Sequence, residues 1–195
     1  MVMRQRMRRQ RSGQLIAVVL TTACLLLIGC TTQEPDMQEA RMGITVTSTA
    51  FTAGKPIPVK YTGQGEDISP GLAWRDIPEG VVSFALVCDD PDAPRGTWVH
   101  WTIWNIPGTA TALPEGVPAD ARLSDGSIQG ITSAGTPGYH GPMPPPGNSH
   151  HYYFRVYALD TTLALDPSAT RAQLDTAMKG HILAQGQLMG LYQRQ

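Results

Sequence analysis

Apolar and polar positions alternate along much of this chain with a period of two. Residues 44–51 (ITVTSTAF) interleave apolar and hydroxyl side chains, the pattern of a half-buried strand. Residues 57–61 form a second short β-prone run. Residues 81–88 (VVSFALVC) are nearly continuously apolar, which predicts a central strand covered on both faces. The longest β-prone runs, 98–106 and 150–159, are rich in aromatic and β-branched residues, and 182–192 reads as a closing strand. One helix is indicated. Thr170 and Gln173 fit a capping box, Ala172, Leu174, Ala177 and Met178 form its inward row, and Gly180 supplies the stop. Between residues 107 and 147 strand signals give way to Gly and Pro. An irregular stretch of that length in a compact domain is functional or disordered, and the motifs at its borders argue for function. No internal repeat is visible, and the prediction is a mainly β domain.

The first thirty residues follow a different logic. Arg4, Arg6, Arg8, Arg9 and Arg11 precede any acidic residue, and an uncharged run of 14 residues follows from Leu15 to Ile28. This is the basic and apolar succession of a secretory signal, too short for the ~20 residues a spanning helix needs. It ends in Leu27-Ile28-Gly29-Cys30, which resembles a lipobox, with Cys30 as the lipidated residue (palmitate among its acyl chains). The expected organisation is a signal peptide at 1–29, a lipidated cysteine and polar tether at 30–42, and one folded domain at 43–195. The expected location is the cell envelope, on the periplasmic or extracellular face of a membrane. Thr31 after the cysteine suits an outer-membrane destination where the envelope has two membranes.

Removing the leader changes the charge picture. The 166 residues from Cys30 keep ten Lys and Arg against sixteen Asp and Glu, a net −6 in place of −1. An acidic chain lacks the electrostatic footprint of a nucleic-acid binder. Of three cysteines, Cys24 leaves with the leader and Cys30 carries lipid, so Cys88 has no partner for an intramolecular disulfide.

Chemistry concentrates in four blocks: Asp89-Asp90-Pro91-Asp92-Ala93-Pro94, Trp98-Val99-His100-Trp101, the Gly/Pro loop from Gly138 through Gly141 and Pro142 to Gly147, and His150-His151-Tyr152. Strand geometry puts His150 and Tyr152 on one face and His151 on the other, and puts His100 with Trp98 and Thr102. Asp90 and Asp92 share a face if the backbone stays extended. Imidazolium, Tyr hydroxyl and glycine-loop amides make a donor set for one phosphate or carboxylate. A neighbouring Asp favours the imidazolium and could accept from an ammonium, so a zwitterionic headgroup also suits the site. Arg95 is the one permanent cation nearby.

These blocks resemble the phosphatidylethanolamine-binding protein family, and within it the bacterial Raf kinase inhibitor-like branch. The resemblance runs from about Ile44 to Tyr192. It rests on Ser69-Pro70-x-Leu72-x-Trp74, Asp90-Pro91-Asp92-Ala93-Pro94, His100-Trp101 with Asn105-Ile106-Pro107, Gly141-Pro142-Met143-Pro144-Pro145, His150-x-Tyr152 into Tyr157-Ala158-Leu159-Asp160, and Ala177-Met178-Lys179-Gly180-His181. It implies a β-rich fold with a large central antiparallel sheet, one or two short peripheral helices, and a shallow anion pocket. Carried onto this sequence, the pocket residues are Asp90, Asp92, His100, His150 and Tyr152, with Gly141 and Pro142 shaping the rim. Met143 stands where many bacterial relatives have Cys, and His151 where Arg is common. A cis peptide beside the pocket is expected at Ala93-Pro94.

Outside the pocket, His140 and His181 read as a loop and a helix-end residue, His151 as solvated, and Cys88 as a small buried hydrophobe. HxxxH and HExxH spacings are missing, so no functional metal is expected, and no cofactor. The Gly-x-Ser-x-Gly, GxGxxG and P-loop patterns are absent as well. The leading reading is an envelope-anchored binding module for a small anionic or zwitterionic ligand, not an enzyme, with a protein partner that no residue identifies. The alternative is a weak phosphoester hydrolase with His100 or His150 as general base and Asp as orienter.

Overall fold

The structure, a computed structural model, describes residues 43–194, so the leader, Cys30 and the tether lie outside it. Eight strands form two antiparallel sheets. The smaller sheet joins β1 (Thr45–Ser48), β2 (Leu72–Arg75) and β5 (Ala112–Leu113) in the order β1-β2-β5. In the larger, β3 (Ser83–Asp90), β4 (Trp98–Pro107), β6 (Ile128–Gln129), β7 (His150–Leu159) and β8 (Ile182–Tyr192) run β6-β4-β3-β7-β8. This is the mainly β architecture that the alternation implied, with the large central antiparallel sheet that the resemblance implied.

The continuous apolar run works as expected. Every residue of β3 is buried, and its side chains divide by parity. Phe84, Leu86 and Cys88 join Trp101, Ile103, Phe154 and Val156 against Leu72 and Trp74 of the small sheet. Ala85 and Val87 join Trp104, Tyr157 and Leu159 against Leu174 and Met178 of α1 (Arg171–Met178). Each large apolar side chain so buried contributes about 1.5–3 kcal/mol relative to exposure.

The capping box at the helix start is present. Thr170 accepts from the Gln173 amide, and the Gln173 side chain accepts from the Thr170 amide. Two of the four predicted inward residues differ: Ala172 is exposed and Ala177 half-buried. Two helical turns present one i, i+4 row to the sheet, and Leu174 and Met178 occupy it. Arg171 anchors the helix by donating to Asp89 at 2.8 Å; Arg155 from β7 pairs with the other oxygen of the same carboxylate.

The run at 57–61 is not a strand but a 3-10 turn at Val59–Tyr61. Pro58, with φ −59°, presets the turn, and Tyr61 and Thr62 donate back to the Pro58 and Val59 carbonyls at 3.0 Å. The 107–147 stretch is irregular apart from β5 and β6. Gln129 organises it from the interior. Its side chain accepts from Trp101 Nε1 at 2.6 Å and donates to the Pro118 and Asp120 carbonyls at 2.7 Å. No helix among the described residues is long and apolar enough to cross a membrane.

Candidate functional site

The C-terminal end of β3 delivers Asp89 and Asp90 to opposite faces of the large sheet. Asp89 goes to the helix side and its two arginines. Asp90 continues the Phe84-Leu86-Cys88 face, where β7 places His150 and Tyr152. His150 Nδ1 donates to Asp90 Oδ2 at 2.8 Å, a buried pair in which the carboxylate fixes the tautomer and leaves Nε2 for a ligand.

His100 reaches the same place by a route the period-two pattern misses. β3 pairs Cys88 with Trp101 and Asp89 with Val99, so His100 has no partner across the strands and forms a bulge. The bulge turns His100 away from the Thr102 face and onto Tyr152, edge-to-face with centroids 5.2 Å apart. Its Nδ1 meets the His140 carbonyl at 2.6 Å, while the His140 amide donates to the His100 carbonyl at 3.0 Å. A carbonyl only accepts, so Nδ1 carries the proton. Burial lowers the His100 pKa below its ordinary value, against the opposing pull of that carbonyl, which keeps the ring neutral with Nε2 as an acceptor.

The Tyr152 hydroxyl is fully buried and has no hydrogen-bond partner among the described residues. Burial first, then the Asp90 charge and a hydrogen bond toward that carboxylate, too poorly aligned to meet ordinary hydrogen-bond geometry, push its pKa far up, so it is a permanent donor. Tyr152, His100, His150 and Asp90 all line one cleft of about 890 Å³.

Asp92 and Pro142 lie outside the lining of the cleft, and Gly141 lies within it. Asp92 does not line the cleft. Its Oδ2 accepts from the backbone amide and Nδ1 of His151, at 2.8 and 2.6 Å, which lowers the Asp92 pKa and pins the 91–96 loop to β7. His151 is consequently not merely solvated. Gly141 lines the cleft, but its amide donates to Asp67 Oδ1 at 2.6 Å and so is not offered to a ligand. Glycine is required there because a Cβ would lie 2.5 Å from the Tyr61 carbonyl oxygen. Pro142 is buried beneath the rim, its carbonyl accepting from Gly63. No described peptide bond is cis, so Ala93-Pro94 is trans; Gly96 closes a turn onto the Ala93 carbonyl at 3.1 Å, with Pro94 at a position that suits a trans bond.

Sequence reasoning overlooks two residues of the cleft wall. His140 orients His100 through its backbone, and its ring meets Thr136 Oγ1 at 2.7 Å. Asp67, with φ +56°, holds Gly141. Both act through main-chain contacts between distant loops, which no local motif encodes. Arg95 is the one Lys or Arg among the described residues of the wall. No cluster of three or more His, Cys, Asp or Glu suited to a metal occurs among the described residues.

A family model described as phosphatidylethanolamine-binding protein matches residues 47–193. A UPF0098 protein of Methanothermobacter thermautotrophicus is 52% identical over 145 residues, 74% of this chain and 95% of that protein. A UPF0098 protein of Pyrococcus horikoshii is 45% identical over 183 residues, 92% of this chain and 89% of that one. Among solved structures, a phosphatidylethanolamine-binding protein homologue from Chlamydia trachomatis superposes with a TM-score of 0.72 at 40% identity, covering 78% of this chain and 99% of its own. YbcL of E. coli, described as a member of the mammalian family, gives 0.73 at 34% identity with the same coverage.

Proposed function

The chain belongs to the phosphatidylethanolamine-binding protein family, and on that premise we propose that its cleft binds a small phosphorylated or otherwise anionic headgroup. The observation that carries this is the fully buried Tyr152 hydroxyl, left without a partner among the described residues beside two imidazoles that each hold one nitrogen in reserve. Such a hydroxyl costs free energy unless a ligand completes it. Tyr152 donates to one phosphate oxygen. His100 Nε2 accepts the proton of a phosphate monoanion, and His150, with protons on both nitrogens, donates from Nε2 to a third oxygen while Nδ1 stays on Asp90. Asp90 and Asp67 provide the acceptor side that a zwitterion needs, and Arg95 the one full positive charge.

The module works at the envelope, held by lipid on Cys30 through the 31–42 tether. The Leu27-Ile28-Gly29-Cys30 order and the basic leader support that reading. Fatty-acid labelling that persists in Cys30→Ala would refute it.

The test of the pocket is calorimetric titration of the chain from Thr31 onward with O-phosphorylethanolamine. With a second phosphate pKa near 6, the monoanion falls about fiftyfold between pH 6 and pH 8, and affinity falls by up to that factor if the monoanion is the form bound. His150→Ala abolishes the heat at both pH values. A folded chain that binds at neither pH would sink the proposal.

A second reading is favoured by the buried Asp90–His150 pair, which has the geometry of an oriented general base. Weak phosphoester hydrolysis then follows, with His150 activating water. Turnover of an aryl phosphate that is lost in His150→Ala supports it, and rates equal to a protein-free blank eliminate it.

A further inference from the structure

We infer that the face of the large sheet turned away from the cleft carries a second binding site, which takes one tetrahedral oxyanion of the phosphate or sulfate kind. The site is a cavity of about 100 Å³ lined by Arg155, Tyr157, Gln185, Gly186 and Gln187. It shares no residue with the cleft and does not rest on the reading given for it.

Strand register builds this cavity. β7 sends His150 and Tyr152 to the cleft, and Arg155 and Tyr157, of the opposite parity, to the other face. β8 sets Gln187 across from Arg155 and Gln185 across from Tyr157. Cross-strand neighbours stand about 4.5–5.5 Å apart at Cβ, so four side chains form a square around one point. Tyr157 belongs to the cluster that α1 covers with Leu174 and Met178, whereas Gln187 is exposed. The square therefore opens to solvent on its β8 side.

Each corner of the square holds an unspent donor. Arg155 pairs with Asp89 through Nη1, and its Nε and Nη2 make no hydrogen bond among the described residues. The Tyr153 ring braces the guanidinium, whose carbon lies 4.6 Å from the ring centroid. The Gln185 and Gln187 side-chain amides and the Tyr157 hydroxyl have no partner among the described residues. Tyr157 is 7% exposed, and burial raises its pKa against the pull of the Arg171 and Arg155 charges, so it keeps its proton to donate. No carboxylate lines the cavity. Asp89 is shared between Arg155 and Arg171, and Asp175 also meets Arg171, so the Arg155 charge is the less fully met of the two. Donors enclosed without an acceptor cost free energy, and the component that completes them is an anion with several oxygens. At about 30 Å³ per liquid water the volume equals roughly three waters. That is room for one such ion and too little for a nucleotide or a peptide.

The test titrates the isotope-labelled full chain with phosphate and with sulfate at constant ionic strength. Nuclear magnetic resonance reads the Gln185 and Gln187 side-chain amides and Arg155 Nε. Saturating shifts are expected, with a Kd of about 1–10 mM and the same midpoint in Tyr152→Phe, which alters the cleft alone. Arg155→Lys keeps a charge for Asp89 but loses the planar fork, and should weaken binding about tenfold. Gln187→Glu, a change at an exposed position, sets a carboxylate on the square and should abolish the shifts in a folded chain. Shifts no larger than those from sodium chloride overturn the inference and leave water as the occupant. Shifts that persist in Gln187→Glu, or whose midpoint moves in Tyr152→Phe, overturn it as well, because they then report the cleft from a distance. Acetate binding more tightly than phosphate and sulfate overturns it in favour of a carboxylate.

Discussion

Tyr152→Phe separates stability from binding. The ring is wholly buried, packs edge-to-face on His100, and belongs to the core between the sheets; phenylalanine keeps all of that without opening a cavity. Only the hydroxyl is lost, and it has no hydrogen-bond partner among the described residues. Burying such a group costs about 1–3 kcal/mol, so the variant should be more stable by about 1 kcal/mol once the lost oxygen contacts are discounted. For a chain of this length that is a rise in Tm of about 2–4 °C. The ligand should lose a charge-assisted hydrogen bond, about 1.5–3 kcal/mol, which is roughly ten- to a hundredfold in Kd. Urea unfolding of both proteins at pH 7.5 with a shared m-value measures the first quantity, and titration with O-phosphorylethanolamine the second. A variant less stable than the parent by about 0.5 kcal/mol or more would refute the reasoning. It would mean that the hydroxyl is satisfied in the free protein, with Asp90 as the partner to test next.

Three further outcomes follow from the same geometry. His100 has a folded-state pKa below its unfolded value of about 6.5, so the unfolded chain takes up the proton first. Its contribution to stability is full above pH 6.5 and declines as the pH falls through 6.5 toward the lowered value; urea midpoints between pH 5 and pH 8 should show this slope, and His100→Gln should flatten it. Asp89→Ala leaves Arg155 and Arg171 facing each other, both partly buried, and should cost about 3 kcal/mol in denaturant unfolding. Gly141→Ala drives a methyl to 2.5 Å from the Tyr61 oxygen, displacing the loop that carries the His140 carbonyl. Expected effects are a loss of about 2 kcal/mol in stability and weaker phosphate binding, and an unchanged crystal structure of this variant would count against the packing argument.

The strands at 98–107, 150–159 and 182–192 and the capped helix are legible in the chain because their signals are local. Alternation, β-branching and a capping box act within a few residues. The unbroken apolar run at 81–88 foretells a strand sandwiched between two layers for the same reason. His150 and Tyr152 are legible as a pair because nothing disturbs the pleat between them. His100 is legible as a residue of interest, though not as to its face, since a bulge is decided by the strand opposite. Asp92 looks equivalent to Asp90 by spacing; the turn after Asp90 and the His151 hydrogen bonds take it out of the cleft.

By itself, then, the sequence determined the long strands and the capped helix, the two-faced burial of β3, and which segments carry the polar chemistry. Tertiary structure decided which atoms of those segments remain available. Gly141 spends its amide on Asp67, and His100 spends Nδ1 on His140, each a partner many residues away. Tyr152, between them, is enclosed with its hydroxyl unpartnered among the described residues. Hydrogen-bond satisfaction is settled by neighbours in space, and a site defined by what is left unsatisfied becomes visible only when every neighbour is in place.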